Sequence, residues 1–158
     1  MLQARPIRPD DKPALSAGLD RLSPNSVYNR FLSPKPSFSA AELRYLTEVD
    51  GHDHVALVID DPDRPGEVIA VGRWVRLADD REAAEIAITV ADCWQRRGIG
   101  SQLAQELGEQ ARTRGIRRFT ATMSAQNTAA LRLLEKAADH LELSHNGGTD
   151  DAVVDLAA

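Results

Sequence analysis

The chain lacks most of the features that would place it outside the ordinary globular class. Its 158 residues contain one cysteine, Cys93, so no internal disulfide framework can form, and a reducing compartment is suited. No apolar run approaches the length of a membrane span, and the opening MLQARPIRPDDKP lacks the apolar centre of a secretory leader. A cytoplasmic location without membrane attachment is the expectation. Positive charge is not in excess. The formal net charge is −5, which removes the general electrostatic case for nucleic acid or an anionic membrane as partner. The one basic run, ARTRGIRR at 111–118, reads as a solvated helix end. There is no internal repeat and no low-complexity segment. Metal-ligand spacing is also missing. His52 and His54 with Asp50 and Asp53 are near one another in sequence, but nothing else completes a ligand set, so no metal is expected.

What is present suits a folded enzyme-sized unit. A hydrophobic fraction of 42% over 158 residues supports one domain spanning 1–158, with too little chain for two. QARPIRP is a short strand candidate. DDKPALSAGLDRL predicts a helix begun by Asp10 or Asp11, with Pro13 in its first turn. SPNSVYNRFL opens on a Ser-Pro helix start. In SAAELRYLTEVD, Ser39 and Glu42 have capping-box spacing. HVALVID and EVIAVGRWVRLA are strands joined by the turn DPDRPG, and DDRE turns into a third strand, AAEIAITVA. A helix follows with Ile99, Leu103, Leu107 and Ala111 on one face, stopped near Gly115. RRFTATM is a strand, NTAALRLLEKAAD a helix capped by Asn127, and the tail a hairpin around Asn146, Gly147 and Gly148. This order predicts an α/β (α+β) fold, a mixed and mostly antiparallel sheet flanked by helices.

The segment DCWQRRGIGSQL, residues 92–103, lies where the third strand crosses to the long helix. A helix start exposes unpaired N–H groups and a partial positive charge. Gly98 and Gly100 leave that backbone open, and Arg96 and Arg97 add formal charge, which suits a phosphate or diphosphate. The same residues would also serve as a plain tight turn with solvated arginines, and so short a motif does not separate the two. It is not a Walker A loop, because no Lys-Ser/Thr pair follows, and the glycine spacing of a dinucleotide fold is missing.

Gln95-Arg96-Arg97-Gly98-Ile99-Gly100 resembles the pyrophosphate-binding motif of the GNAT acyltransferase superfamily, Q/R-x-x-G-x-G/A, and the element order resembles that fold across nearly the whole chain. RLSPNSVYNRF, LTEVDGHDHVAL and AEIAITVADCWQRRGIG resemble the GNAT domain of bacterial protein-lysine acetyltransferases. The cyclic-nucleotide-binding and acyl-CoA-synthetase-like regions often fused to that domain are not among these residues, so regulation through them is not expected. The resemblance implies acetyl-CoA or a close acyl-CoA as donor. The backbone of Ile88, Thr89 and Val90 would pair with the pantetheine arm at a splayed strand edge. After Gln95, residues Arg96, Arg97, Gly98, Ile99, Gly100 and Ser101 would receive the diphosphate. Asn127 would contact the cofactor arm while also capping its helix.

Acyl transfer to an amine needs the amine neutral, so a general base is useful. Glu85 matches the glutamate assigned as base in the resembling enzymes. The strand period puts it on the face of Ala87 and Thr89, opposite Ile86 and Ile88, where apolar neighbours would raise its pKa. Glu82 is the backup, read as a turn residue. Leu134 stands where many GNAT enzymes keep a tyrosine that protonates the leaving thiolate. Cys93 and Ser124 are nearby substitutes, with Cys93 expected as a small packed side chain. Ala138-Asp139 replaces the usual Gly-Phe after that helix. Trp74 and Trp94 are read as packing residues, with Trp94 alternatively bordering the cofactor groove. The function implied is acetyl-CoA-dependent acetylation of a primary amine, first a protein lysine side chain. The alternatives are a small-molecule amine acetyltransferase and an acyl-CoA-binding regulatory module without turnover. Acceptor, acyl chain and oligomeric state stay open.

Overall fold

A computed structural model describes residues 2–35, 37–137 and 140–156. Along the chain it contains β1 (Ala4–Pro6), α1 (Lys12–Arg21), α2 (Pro24–Phe31), α3 (Ala40–Thr47), β2 (His54–Asp60), β3 (Val68–Arg76) and β4 (Ala83–Val90). There follow α4 (Ile99–Thr113), β5 (Arg118–Ser124), α5 (Thr128–Ala137), β6 (His140–Asn146) and β7 (Thr149–Asp155). The strands form one seven-stranded sheet in the order β1-β2-β3-β4-β5-β7-β6. β4 and β5 run parallel, and the other neighbouring pairs are antiparallel. This is the mixed, mostly antiparallel sheet with flanking helices that the element order predicts.

Local chemistry sets the element ends. Ser39 and Glu42 form the reciprocal capping box at α3, at 3.1 and 2.9 Å. Ser23 accepts the Ser26 amide at 3.1 Å and opens α2. Asp11 precedes α1 as predicted, but its carboxylate makes no cap bond there. It accepts the Arg8 amide at 2.7 Å and is gripped by both Nη atoms of Arg5, at 3.0 and 2.8 Å. Arg5 also holds Asp60 through Nε at 2.8 Å, so one guanidinium fastens β1, β2 and the start of α1 together. α2 stops at Phe31 because Leu32 turns into the left-handed region at φ 56°.

The two sheet faces carry different layers. On one, α4 buries Ile99, Leu103, Leu107 and Ala111 against β3 and β4. The approach is close at Gly72, where an added Cβ would lie 2.8 Å from Leu107 Cδ1. Trp74 is fully buried in this layer, the packing role predicted for it. On the other face, α1 and α3 cover Ala56, Val58 and Val68 through Leu15, Leu43 and Leu46, while α2 lies across β4 and β5.

A polar brace sits within this second layer. Arg73, 5% exposed, donates from Nη1 to the Leu46 carbonyl at 2.9 Å and to His54 Nε2 at 3.0 Å. Tyr45 packs on the His54 ring at 5.0 Å between centroids. Burial, and then the Arg73 charge, lower the His54 pKa to about 4, so the ring is neutral and accepts from Arg73. The neighbouring residues once weighed as ligands hold the loop. Asp50 Oδ1 accepts the amides of His52, Asp53 and His54, each at 2.9 Å. Asp53 pairs with Arg76 at 2.8 Å and Arg81 at 2.9 Å.

Two outcomes are expected. Gly72→Ala should destabilise by about 1–3 kcal/mol through overpacking on Leu107. Denaturant melts of Gly72→Ala, Leu107→Ala and the double variant should give a double-variant loss smaller than the sum of the singles. The second concerns pH. The folded pKa of His54 lies below its unfolded value, so the unfolded chain takes up a proton first. Stability should therefore fall as pH drops from about 6.5 to about 4, by up to about 3 kcal/mol. His54→Gln should flatten that window in denaturation midpoints measured against pH.

Candidate functional site

β4 and β5 stay together only briefly. Ala83, Ala84 and Glu85 pair with Arg118, Phe119 and Thr120, and beyond that rung the strands part. β4 continues to Val90 along β3, while β5 continues to Ser124 along β7. The Ala91 amide donates to the Ile69 carbonyl at 2.7 Å. Antiparallel bonding alternates, so Thr89 and Ala87 also bond towards β3, and Ile88 and Val90 turn their amides and carbonyls into the gap. Gln95 Nε2 donates to the Val90 carbonyl at 3.0 Å and to Ser26 Oγ at 3.2 Å. Its side chain thus ties the crossing loop to β4 and α2, and leaves the Ile88 backbone and the Val90 amide facing the gap.

At the top of the gap the chain makes a 3-10 turn, Asp92–Trp94, and then the motif. Arg96 is left-handed at φ 64°, and so is Gly98 at φ 81°. A non-glycine residue in that region is strained. Gln102 is the first residue to bond back, to the Gly98 carbonyl at 3.0 Å. Among the described residues, the amides of residues 96–101 have no backbone acceptor and α4 has no side-chain N-cap bond. The glycines differ in purpose. Gly98 is required by its φ. Gly100 is helical, and an added Cβ would meet Leu133 Cδ2 at an ordinary 3.6 Å. The fold would accept a Cβ at Gly100, so internal packing does not explain the glycine. Arg96, Arg97 and Ser101 are exposed, and the Arg97 guanidinium lies 4.8 Å from the Trp94 ring centroid. Trp94 therefore packs partly into the core and carries a loop arginine. This run of free amides and two arginines fits a diphosphate.

Asn127 stands just before α5. Its Oδ1 accepts the Ala130 amide at 3.1 Å, the cap predicted for it. Leu134 is 8% exposed and belongs to the core beneath α5, so no acid group stands there. Cys93 is exposed, which corrects the expectation of a packed thiol; within the 3-10 turn it is Trp94 that packs on the core. Ala138 and Asp139 lie outside the described residues.

Glu85 occupies the last paired rung, at the vertex of the gap. It is exposed, not enclosed by apolar strand side chains, because the even-numbered residues of β4 carry the core face. Glu82 is a turn residue, with Arg117 at 2.8 Å. The basic run is spent locally: Arg114 donates to the Gly51 carbonyl at 2.7 Å and Arg118 to Asp80 at 2.8 Å.

The sequence reading missed two arginines on the Glu85 side of the sheet. Arg30 of α2 and Arg73 of β3 line one cavity of about 80 Å³, with Leu19, Phe31, Ala87 and Thr89. Burial lowers the Arg30 pKa, with Glu85 and then Tyr45 opposing that shift. Burial, and then repulsion from Arg30, brings Arg73 down to about 10. Both remain cations at neutral pH. One signal was available: Arg73 is a lone charge inside the apolar run VIAVGRWV.

Similarity to known proteins agrees with this layout. An acetyltransferase Pat of Mycolicibacterium smegmatis is 36% identical over 132 residues, covering 84% of this chain and 39% of the relative. The chain thus spans about two fifths of that protein's length. The crystal structure of the GNAT domain of S. lividans PAT superposes with a TM-score of 0.88 at 32% identity, covering 98% of this chain and 90% of that one. A phosphinothricin acetyltransferase from Sinorhizobium meliloti in complex with acetyl-CoA shares the fold, with a TM-score of 0.78 at 18% identity over 98% of this chain and 88% of that one. The profile of the acetyltransferase (GNAT) family matches residues 25–139, from α2 to the end of α5, and the chain belongs to that family.

Proposed function

We propose that the chain is an acetyl-CoA-dependent N-acetyltransferase that moves the acetyl group directly to a primary amine, with a protein lysine side chain as the first acceptor. The observations that carry the reading are the free amides of residues 96–101 and the unpaired β4 edge at Ile88 and Val90. In this reading the loop and the α4 N-terminus hold the donor's diphosphate, and the strand edge takes the amide-bearing arm as an added strand would. The thioester then lies near the vertex, beside Glu85. The lysine preference rests on resemblance to bacterial protein-lysine acetyltransferases.

The chemistry needs one proton removed and one returned. The acceptor ammonium loses a proton to Glu85, directly or through water, and the free amine attacks the thioester carbonyl. A C–N bond forms and the C–S bond breaks. With Leu134 packed in the core, the departing thiolate takes its proton from solvent. A small-molecule amine is the second reading, favoured by the compact, half-open cavity beside Thr89.

Two variants separate donor binding from chemistry. Gly100→Ala should stabilise the fold by about 0.5–1 kcal/mol, since alanine is the better helix former. Gly100→Val should weaken acetyl-CoA by about tenfold or more in calorimetry while remaining folded, and unchanged affinity would remove the diphosphate assignment. Glu85→Gln should retain acetyl-CoA binding and lose turnover on the order of a hundredfold, most severely at low pH where the amine is protonated. Mass-spectrometric detection of acetyl transfer to lysine peptides and small amines reads this. Equal turnover by both proteins across pH would assign the base elsewhere, and donor binding without product from any acceptor would favour a binding module.

A further inference from the structure

Arg5 and Arg76 are neutralised by carboxylates, and Arg30 and Arg73 are not. Arg5 is held by Asp11 and Asp60, and Arg76, 7% exposed in its side chain, is held by Asp53. Arg30 and Arg73 share a cavity, and among the described residues neither has a carboxylate within ion-pair distance. Arg73 is anchored only by the Leu46 carbonyl and the neutral His54 ring. Arg30 rests over the Phe31 ring at 4.8 Å and makes no hydrogen bond to another described residue. Two like charges lining one largely apolar pocket are costly unless an anion joins them. Packing also holds both groups in place in advance, as binding groups are held.

We propose that Arg30 and Arg73 form a carboxylate subsite for a substrate of the reaction at Glu85. The proposal rests on the acetyltransferase reading for the identity of that reaction. A carboxylate fits better than a second phosphate. The cavity of about 80 Å³ is compact, its walls include Leu19 and Phe31, and two planar guanidiniums match the two oxygens of a carboxylate. The subsite lies on the Ala87 and Thr89 side of β4 and within electrostatic reach of the carboxylate at the vertex. A group held there would lie on the Glu85 face of β4, beside Ala87 and Thr89. It therefore belongs to the acceptor, as the carboxylate of an amino acid, or to the acyl chain, as the free end of a dicarboxylic thioester. Kinetics tell the two sources apart.

The test pairs each carboxylate with its uncharged counterpart. In calorimetry on the CoA-saturated full chain, N-acetylglycine should bind at least tenfold more tightly than N-acetylglycinamide, the scale of a charge-assisted bond. That ratio should collapse towards one in Arg30→Gln and recover in part in Arg30→Lys. Arg73→Lys is the second variant, with its fold checked by thermal melting because Arg73 also braces α3. In the acceptor arm, kcat/KM for glycine is compared with glycinamide using acetyl-CoA. In the donor arm, succinyl-CoA is compared with acetyl-CoA on a lysine peptide. A tenfold preference that Arg30→Gln abolishes in one arm assigns the carboxylate to that substrate. If binding and both arms are flat, or a preference survives Arg30→Gln unchanged, the subsite is overturned. Absence of turnover with every acceptor counts against the acetyltransferase reading alone, and the calorimetric ratio still decides the subsite.

Discussion

Three residues of parallel pairing, Ala83–Glu85 against Arg118–Thr120, join the two halves of the sheet. Each half is fully laddered on its other side: β4 to β3 from Ala84 to Val90, and β5 to β7 from Arg118 to Ser124. Antiparallel pairing on both outer flanks leaves each strand free to follow its own twist, so the middle of the sheet opens. The opening exposes backbone groups that a closed sheet would satisfy. A sheet interrupted at its centre is a liability unless something extended and polar completes it. The remaining features of the site follow from that gap: a loop of free amides above it, a carboxylate at its vertex, and cations to one side.

The gap also sorts the chemistry by face. Towards α4 and α5, Ile86, Ile88 and Val90 pack into the main core, and the polar groups are backbone amides at helix starts. Towards α1, α2 and α3, Glu85, Arg30 and Arg73 supply formal charge. Neutral dipoles suit a fixed, long donor that must bind and leave. Formal charges suit proton movement and the choice of partner. Alternation along one strand, β4, makes this division, because successive side chains point to opposite faces. The strain at Arg96 and the left-handed Gly98 are what turn the chain from β4 into α4 with its amides outward.

Much of this was legible in the residues. The face of α4 was readable because helical periodicity survives any tertiary context, and Ile99, Leu103, Leu107 and Ala111 are all buried. The capping box at Ser39 and Glu42 and the turn at Gly147 and Gly148 were readable because their geometry is local. Asn127 was readable as a cap for the same reason. Cys93 was misread as packed: burial in a short turn depends on what lies across from it, which no local pattern states. Asp11 was read as a helix cap, yet Arg5 claims it, and Arg5 is also needed at Asp60.

The sequence by itself determined the elements, their order, and the glycine-arginine loop between β4 and α4. Each depends on bonds or side chains within a few residues of one another. Only the tertiary structure decided that Glu85 marks the last rung before the strands part, and that Gly100 is dispensable to the fold. It also decided that Arg30 and Arg73 meet in one cavity without a counter-ion. Those facts depend on strand register and on how α2 crosses the sheet, and register is set by the summed packing of two faces. A lone arginine in an apolar strand signals an unpaired charge; where that charge is directed is a property of the assembled layers.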